Sequence, residues 1–195
     1  MDVFSDAGTF LIQSLASIYL VVLLLRFLLQ LSQADFYNPV SQFAHKATAP
    51  LLLPLRKLFP TIGKVDTSCL VLGLLLQWLA IQATISLHGY GLVNPLYILL
   101  WGFLGILSMA INFYTYGLLA AIILSWVAPN NQHPVVSLLW QLMEPLMAPL
   151  RKVIPPLGGL DLSPIFIFLG LNLLRIFLMS AASSAGLPVD AVPGI

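Results

Sequence analysis

Residues 67–87 read TSCLVLGLLLQWLAIQATISL, a run without a single charged side chain. A helix needs about 20 mainly apolar residues to cross roughly 30 Å of hydrocarbon, so this stretch predicts a membrane span. Three more stretches meet the same condition. Residues 9–31 carry only Arg26, and residues 162–183 carry only Arg175. Residues 96–128 carry no charge, yet at 1.5 Å per residue they would reach about 50 Å. That length predicts a strongly tilted helix, or a break near Gly102, Gly105 or Asn112, with 104–128 as the main span. The charged share of the whole chain is 8%, against about 25% for an ordinary soluble domain. So few charges cannot cover a water-facing surface, and most of this one must face lipid. The expected fold is an all-α polytopic membrane protein with about four spans.

Two stretches are too polar and too rich in proline to span, 32–66 and 129–161. Asn38-Pro39 and His133-Pro134 each read as a cap followed by proline at the first helical position. An amphipathic helix is expected after the first, with Val40, Phe43, Ala44 and Ala47 on its apolar side. Pro50, Pro54 and Pro60, and then Pro145, Pro149, Pro155 and Pro156, should interrupt these segments into short interfacial pieces, because proline removes a helical hydrogen bond. The N-terminus, MDVFSDAG, lacks the basic region of a cleavable signal peptide, so the first apolar segment reads as a retained helix. The tail 184–195, with Gly186, Pro188, Pro193 and Gly194, is expected to fray. Cys69 stands alone, which excludes an internal disulfide and a multi-cysteine metal site.

The sequence repeats itself at a constant offset of 95 residues. PLLLPLRKLFPTIGKVDTS from Pro50 aligns without a gap to PLMAPLRKVIPPLGGLDLS from Pro145. Pro54, Arg56, Lys57, Pro60, Gly63, Asp66 and Ser68 recur as Pro149, Arg151, Lys152, Pro155, Gly158, Asp161 and Ser163. The same offset pairs Tyr19 with Tyr114, Pro39 with Pro134, and Gln77 with Asn172. The expected organisation is two parallel copies of helix, Pro-rich interfacial loop, helix, over 1–92 and 93–195. Outside the spans, all Lys and Arg lie in the two repeated loops: Lys46, Arg56, Lys57 and Lys64, then Arg151 and Lys152. The positive-inside rule therefore puts both loops in the cytoplasm and both termini outside, in a bacterial inner membrane.

The motifs DFYNP (Asp35–Pro39), SQF (Ser41–Phe43) and the doubled PLxxPLRK…P…G…D block resemble the YggT family over nearly the whole chain. The resemblance implies a small multi-pass membrane protein without an established enzymatic activity. Roles it suggests are envelope or division-site organisation, assembly of membrane complexes, and ion or osmotic homeostasis. The second half has no counterpart of Arg26 or Asp35.

Arg56, Lys57, Arg151 and Lys152 are candidates for docking anionic headgroups or a membrane-protein partner, with plain topology anchoring as the alternative. Asp66 and Asp161 precede spans, where a carboxylate can cap a helix; a cation site or a salt bridge to the loop arginine stays open. Arg26 should snorkel or pair with Asp35. Arg175 lies deep in its span, so it should face other helices or water, with Asn112, Gln77, Gln82 and Asn172 as partners. With Asp66 and Asp161, Arg175, Asn172 and Gln77 form the candidate polar-interior or ion set. No catalytic constellation, metal spacing or nucleotide fingerprint occurs, so no enzyme and no cofactor is expected. Basic residues held against a membrane argue against nucleic acid as a ligand. Two readings remain: a non-enzymatic accessory protein acting through its basic loops, or a small channel or transporter subunit. The second requires homo-oligomers, for which Ala121/Ser125 and Ala182/Gly186 could allow close helix contacts.

Overall fold

A computed structural model describes residues 3–128, 132–154, 161–188 and 191–195. Asp2, Pro155, Pro156, Gly158 and Asp190 lie outside the described residues. The described part is helical: α1 (Val3–Leu31), α2 (Pro39–Arg56), α3 (Thr67–Leu87), α4 (Pro95–Val127), α5 (Pro134–Val153) and α6 (Ser163–Ser184). α1, α3, α4 and α6 are long and apolar enough to cross a membrane. Helices are what such a chain must form there, because hydrocarbon offers no partner to an unpaired backbone group. α1 packs on α3, α3 on α4, and α4 on α6. Leu20, Leu24, Ile81, Ile98, Trp101, Leu104 and Leu118 are among the buried residues between them. Large apolar side chains elsewhere, such as Phe10, Leu15, Phe103, Leu173 and Phe177, are exposed, as suits a surface solvated by lipid.

α4 is one continuous helix across Gly102, Gly105 and Asn112, so of the two alternatives the unbroken helix holds. Both glycines are sites of close approach instead. A Cβ on Gly102 would lie 2.9 Å from Gln77 Cβ, and one on Gly105 would lie 2.7 Å from Gln77 Nε2 and 2.8 Å from Val192 Cγ1. Asn94 caps α4 by accepting the Leu96 N–H, with Pro95 at the first turn.

α2 and α5 also differ from expectation. Each runs unbroken through its two prolines, Pro50 and Pro54 in α2 and Pro145 and Pro149 in α5. All four rings sit on the exposed side, where the carbonyls that lose a helical donor can meet water or headgroups. Both helices start as read from sequence, with Asn38 and His133 accepting the N–H groups of Val40 and Val135. The protein-facing stripe of α2 is Ser41, Ala44, Thr48 and Leu52. Phe43, on the expected apolar side, does not join this stripe and is exposed.

The last residues do not fray. Val192 and Pro193 are fully buried, and Pro193 O accepts a 2.9 Å bond from Gln77 Nε2 in the middle of α3. Trp101 Nε1 donates to Ala185 O at 3.0 Å, fixing the end of α6 as well. A methyl group added at Gly105 would push against both Gln77 and this tail. Gly105→Ala is expected to cost about 1–3 kcal/mol, as overpacking of a filled interior does. Gly170→Ala, which meets nothing within 4 Å, should leave thermal unfolding of the detergent-solubilised protein unchanged.

Candidate functional site

α2 packs on α1 and α3, and α5 packs on α4 and α6. Both therefore lie at the same end of the bundle, where α1 and α4 finish and α3 and α6 begin. Their first turns meet there. Asn38 Nδ2 donates to Pro134 O at 2.7 Å, and the Asp35 N–H donates to Gln141 Oε1 at 2.8 Å. The basic residues Arg56-Lys57 and Arg151-Lys152 stand at the far ends of these two helices.

Each arginine is tied to the aspartate ten residues on. Arg56 Nη2 donates to Asp66 Oδ2, and Arg151 Nε donates to Asp161 Oδ2 at 2.8 Å. The turn between them is shaped in the first loop by Gly63, at φ +60°, and by the Ile62–Val65 bridge. The pairs differ in setting. Asp66 is 0% exposed, and its side chain does not cap α3. No side-chain cap bond forms there, and the carboxylate pairs with Arg56. Asp161 is partly exposed, and its Oδ1 does accept the Ser163 N–H at 2.9 Å. Arg151 also reaches Glu144 at 3.0 Å. Burial alone would raise the Asp66 carboxyl, but the hydrogen bond and charge of Arg56 outweigh it and hold it below the usual carboxylate range. Asp161 is held low in the same way by Arg151, with Ser163 adding to the effect.

Arg26 was expected to snorkel or to meet Asp35, and does neither. It is 5% exposed, and its Nη1 donates to His45 O at 3.1 Å and to Thr48 Oγ1 at 2.6 Å. Asp35 instead accepts the Tyr37 N–H and is exposed. Arg26, Gln30, His45 and Arg56, together with Ser41 and Phe36, line a cavity of about 270 Å³. The His45 ring packs edge-on against Phe36. Its pKa is pushed down by burial first, and then by the charges of Arg26 and Arg56. Sequence reasoning placed Arg26 and His45 in separate segments and missed this cluster; only the helical register of α2 over α1 brings the two together.

The candidate polar-interior set does not assemble. Gln77 is buried between α3 and α4, wedged against Gly102 and Gly105. Arg175 and Asn172 lie on the exposed face of α6. Asn172 turns back on its own helix to donate to Phe168 O at 2.8 Å. Arg175 is flanked by exposed Leu173, Leu174, Ile176 and Phe177 and makes no ion pair among the described residues. The expectation of an inward Arg175 is thus corrected, because α6 turns Leu171, Leu178 and Ala182 inward instead. Ala121 and Ala182 are buried within the chain, which removes them as outward contacts for self-association. Among the described residues no cluster of three metal-ligating side chains occurs.

Four apolar spans with two amphipathic helices clamped across one end define a small polytopic membrane protein whose charges gather at that end. The comparisons place it further: the CCB3/YggT family model matches residues 5–86 and 100–182, and the chain belongs to that family. An uncharacterized protein of Pseudomonas aeruginosa is 44% identical over 94% of both chains. The protein named YggT of Escherichia coli K12 is 34% identical over 91% of this chain and 92% of its own. A chloroplastic YlmG homolog protein of Arabidopsis thaliana is 44% identical over 32% of this chain and 24% of its own. No solved structure matches.

The two ion pairs make opposite predictions. Arg56→Ala strands a buried carboxylate and should cost about 3 kcal/mol, whereas Arg151→Ala, at a partly exposed pair, should cost about 1 kcal/mol or less. Thermal unfolding of both variants in one detergent would separate them, and equal losses would contradict the burial difference. The Asp66 pKa is depressed by folding, so its contribution is complete above the ordinary carboxylate value of about 4 and is lost as pH falls through the folded value. The stability gap between the native chain and Asp66→Asn should accordingly close on acidification.

Proposed function

We propose that this chain is a non-enzymatic accessory protein of the bacterial inner membrane, built as two parallel copies of one unit over 1–92 and 93–195. It organises a membrane complex or the envelope by docking. The positive-inside rule puts the α2/α5 end in the cytoplasm and both termini outside. There Lys57 and Lys152, with Arg56 and Arg151 behind them, face anionic headgroups, each charge near the surface adding about 1 kcal/mol of attraction.

The observation that carries this reading is Arg175. A guanidinium well inside a span normally faces protein or water, since exposure to hydrocarbon costs several kcal/mol. Here it stands on an outward apolar face of α6. A second membrane protein presenting an acidic or polar group at that depth is the fitting occupant. The channel alternative draws less support, because Gln77 is sealed between α3, α4 and the tail, while Arg175 and Asn172 point away from it.

A photo-crosslinking residue in place of Met179, one turn from Arg175, tests this in native membranes. The expected result is one discrete protein adduct that disappears when Arg175→Leu is added. Adducts with lipid alone would overturn the docking reading. Reconstituted in liposomes, the folded protein should pass neither K⁺ nor Na⁺; a flux abolished by Asp66→Asn with Asp161→Asn would favour the channel.

A further inference from the structure

The cavity at the end of α1 holds a charge imbalance that the chain does not resolve. Two guanidiniums, Arg26 and Arg56, line it with the neutral donors and acceptors of Gln30 and Ser41 and the ring of His45. The nearby carboxylate, Asp66, is taken by Arg56. Arg26 makes no ion pair among the described residues, and only its Nη1 has acceptors there, both of them uncharged. Arg56 Nε is buried without an acceptor. A buried charge is tolerated where a partner neutralises it, and the two acceptors of Arg26 are both neutral.

The second half of the sequence shows what this place looks like without that need. The offset of 95 carries Arg26 to Ala121, Ser41 to Val136, His45 to Trp140 and Thr48 to Met143. Met143 is fully buried, and its Cε fills the notch over Gly117. One position in each copy is thus apolar and filled, or cationic and hollow. A hollow of about 270 Å³ greatly exceeds the roughly 30 Å³ share of one water.

We infer that the Arg26–Arg56–His45 cavity binds a phosphate group, as carried by an anionic phospholipid headgroup or by a small soluble phosphate. A guanidinium fork matches phosphate oxygens with parallel charge-assisted bonds; Arg26 supplies the fork, and the Arg56 charge stands beside it. Arg26 lies about one turn inside the end of its span, at the depth where headgroup phosphates meet the chain. Gln30 and Ser41 add polar groups at the cavity wall, and Thr48 holds Arg26 in place by donating its own proton to Ala44 O at 2.7 Å. A bound anion would also offset the two charges that push the His45 pKa down. The assignment deepens the lipid part of the docking reading and rests on it for the side of the membrane.

The test uses the purified full chain in detergent, titrated separately with short-chain phosphatidylglycerol and with inorganic phosphate, with thermal stabilisation as readout. The double change Arg26→Ala with Thr48→Met copies the packing of the second half. It should unfold cooperatively and bind the recognised phosphate at least about tenfold more weakly. Whichever ligand loses affinity identifies the source. Equal affinity of the native chain and the folded variant for both ligands would overturn the inference, as would no stabilisation of the native chain by either. Should the double variant fail to fold, Arg26→Lys keeps the charge and removes the fork; weaker binding supports the site and unchanged binding sinks it. Lys57→Gln with Lys152→Gln leaves the cavity whole. Binding lost there and kept in the Arg26 variants would refute the cavity while sparing surface docking, and the reverse would refute surface docking alone.

Discussion

Hydrocarbon supplies no hydrogen bonds, and the arrangement of this protein follows from where the chain finds its own. The spans are helices because helices alone close their backbone within one segment. The polar side chains inside them are then placed one by one. Gln77 reaches the tail at Pro193 O. Asn172 and Thr115 turn back to carbonyls of their own helices. Gln82 ties the α3–α4 connection by accepting the Val93 N–H at 3.2 Å. Arg26 is anchored across to α2. What this economy leaves over is Arg175 on α6, the basic ends of α2 and α5, and a few buried atoms such as Arg56 Nε and Gln77 Oε1 that have no hydrogen-bond partner among the described residues.

The first three helices and the last three solve one problem with different chemistry. Both close the loop end by laying a proline-containing amphipathic helix under two spans and locking its far end with an arginine–aspartate pair. In the first set the lock is buried and backed by a second arginine; in the second it is partly exposed and shared with Glu144. The stripe under α1 includes the polar Ser41 and Thr48, where the stripe under α4 has Val136 and Met143. The two sets therefore differ most at the contact between amphipathic helix and span, while the arginine–aspartate pair occurs in both.

Much of this was legible from residues alone. The spans were visible because charge-free runs of that length have few alternatives, and 67–87 coincides with α3. The caps Asn38 and His133 were visible because a polar residue before proline has a local meaning. The arginine–aspartate pairing was an open alternative that contact geometry decided, since spacing in a loop does not fix distance. One expectation fails and one alternative falls away for a shared reason. Proline breaks neither α2 nor α5, and glycine does not break α4. An exposed carbonyl tolerates a missing donor, and a glycine facing Gln77 makes room rather than flexibility. The inward Arg175 failed because hydropathy carries depth but no rotation about the helix axis. The Arg26–His45 cluster lay beyond reading because it depends on the register between two helices.

The prolines of α2 and α5 carry a mechanical consequence. Each helix lacks two rungs of its ladder, both on the exposed side, while its packed side keeps the side-chain contacts with the spans. Such a helix bends about its outer edge more easily than an unbroken one. The loop end of the bundle is consequently its compliant part.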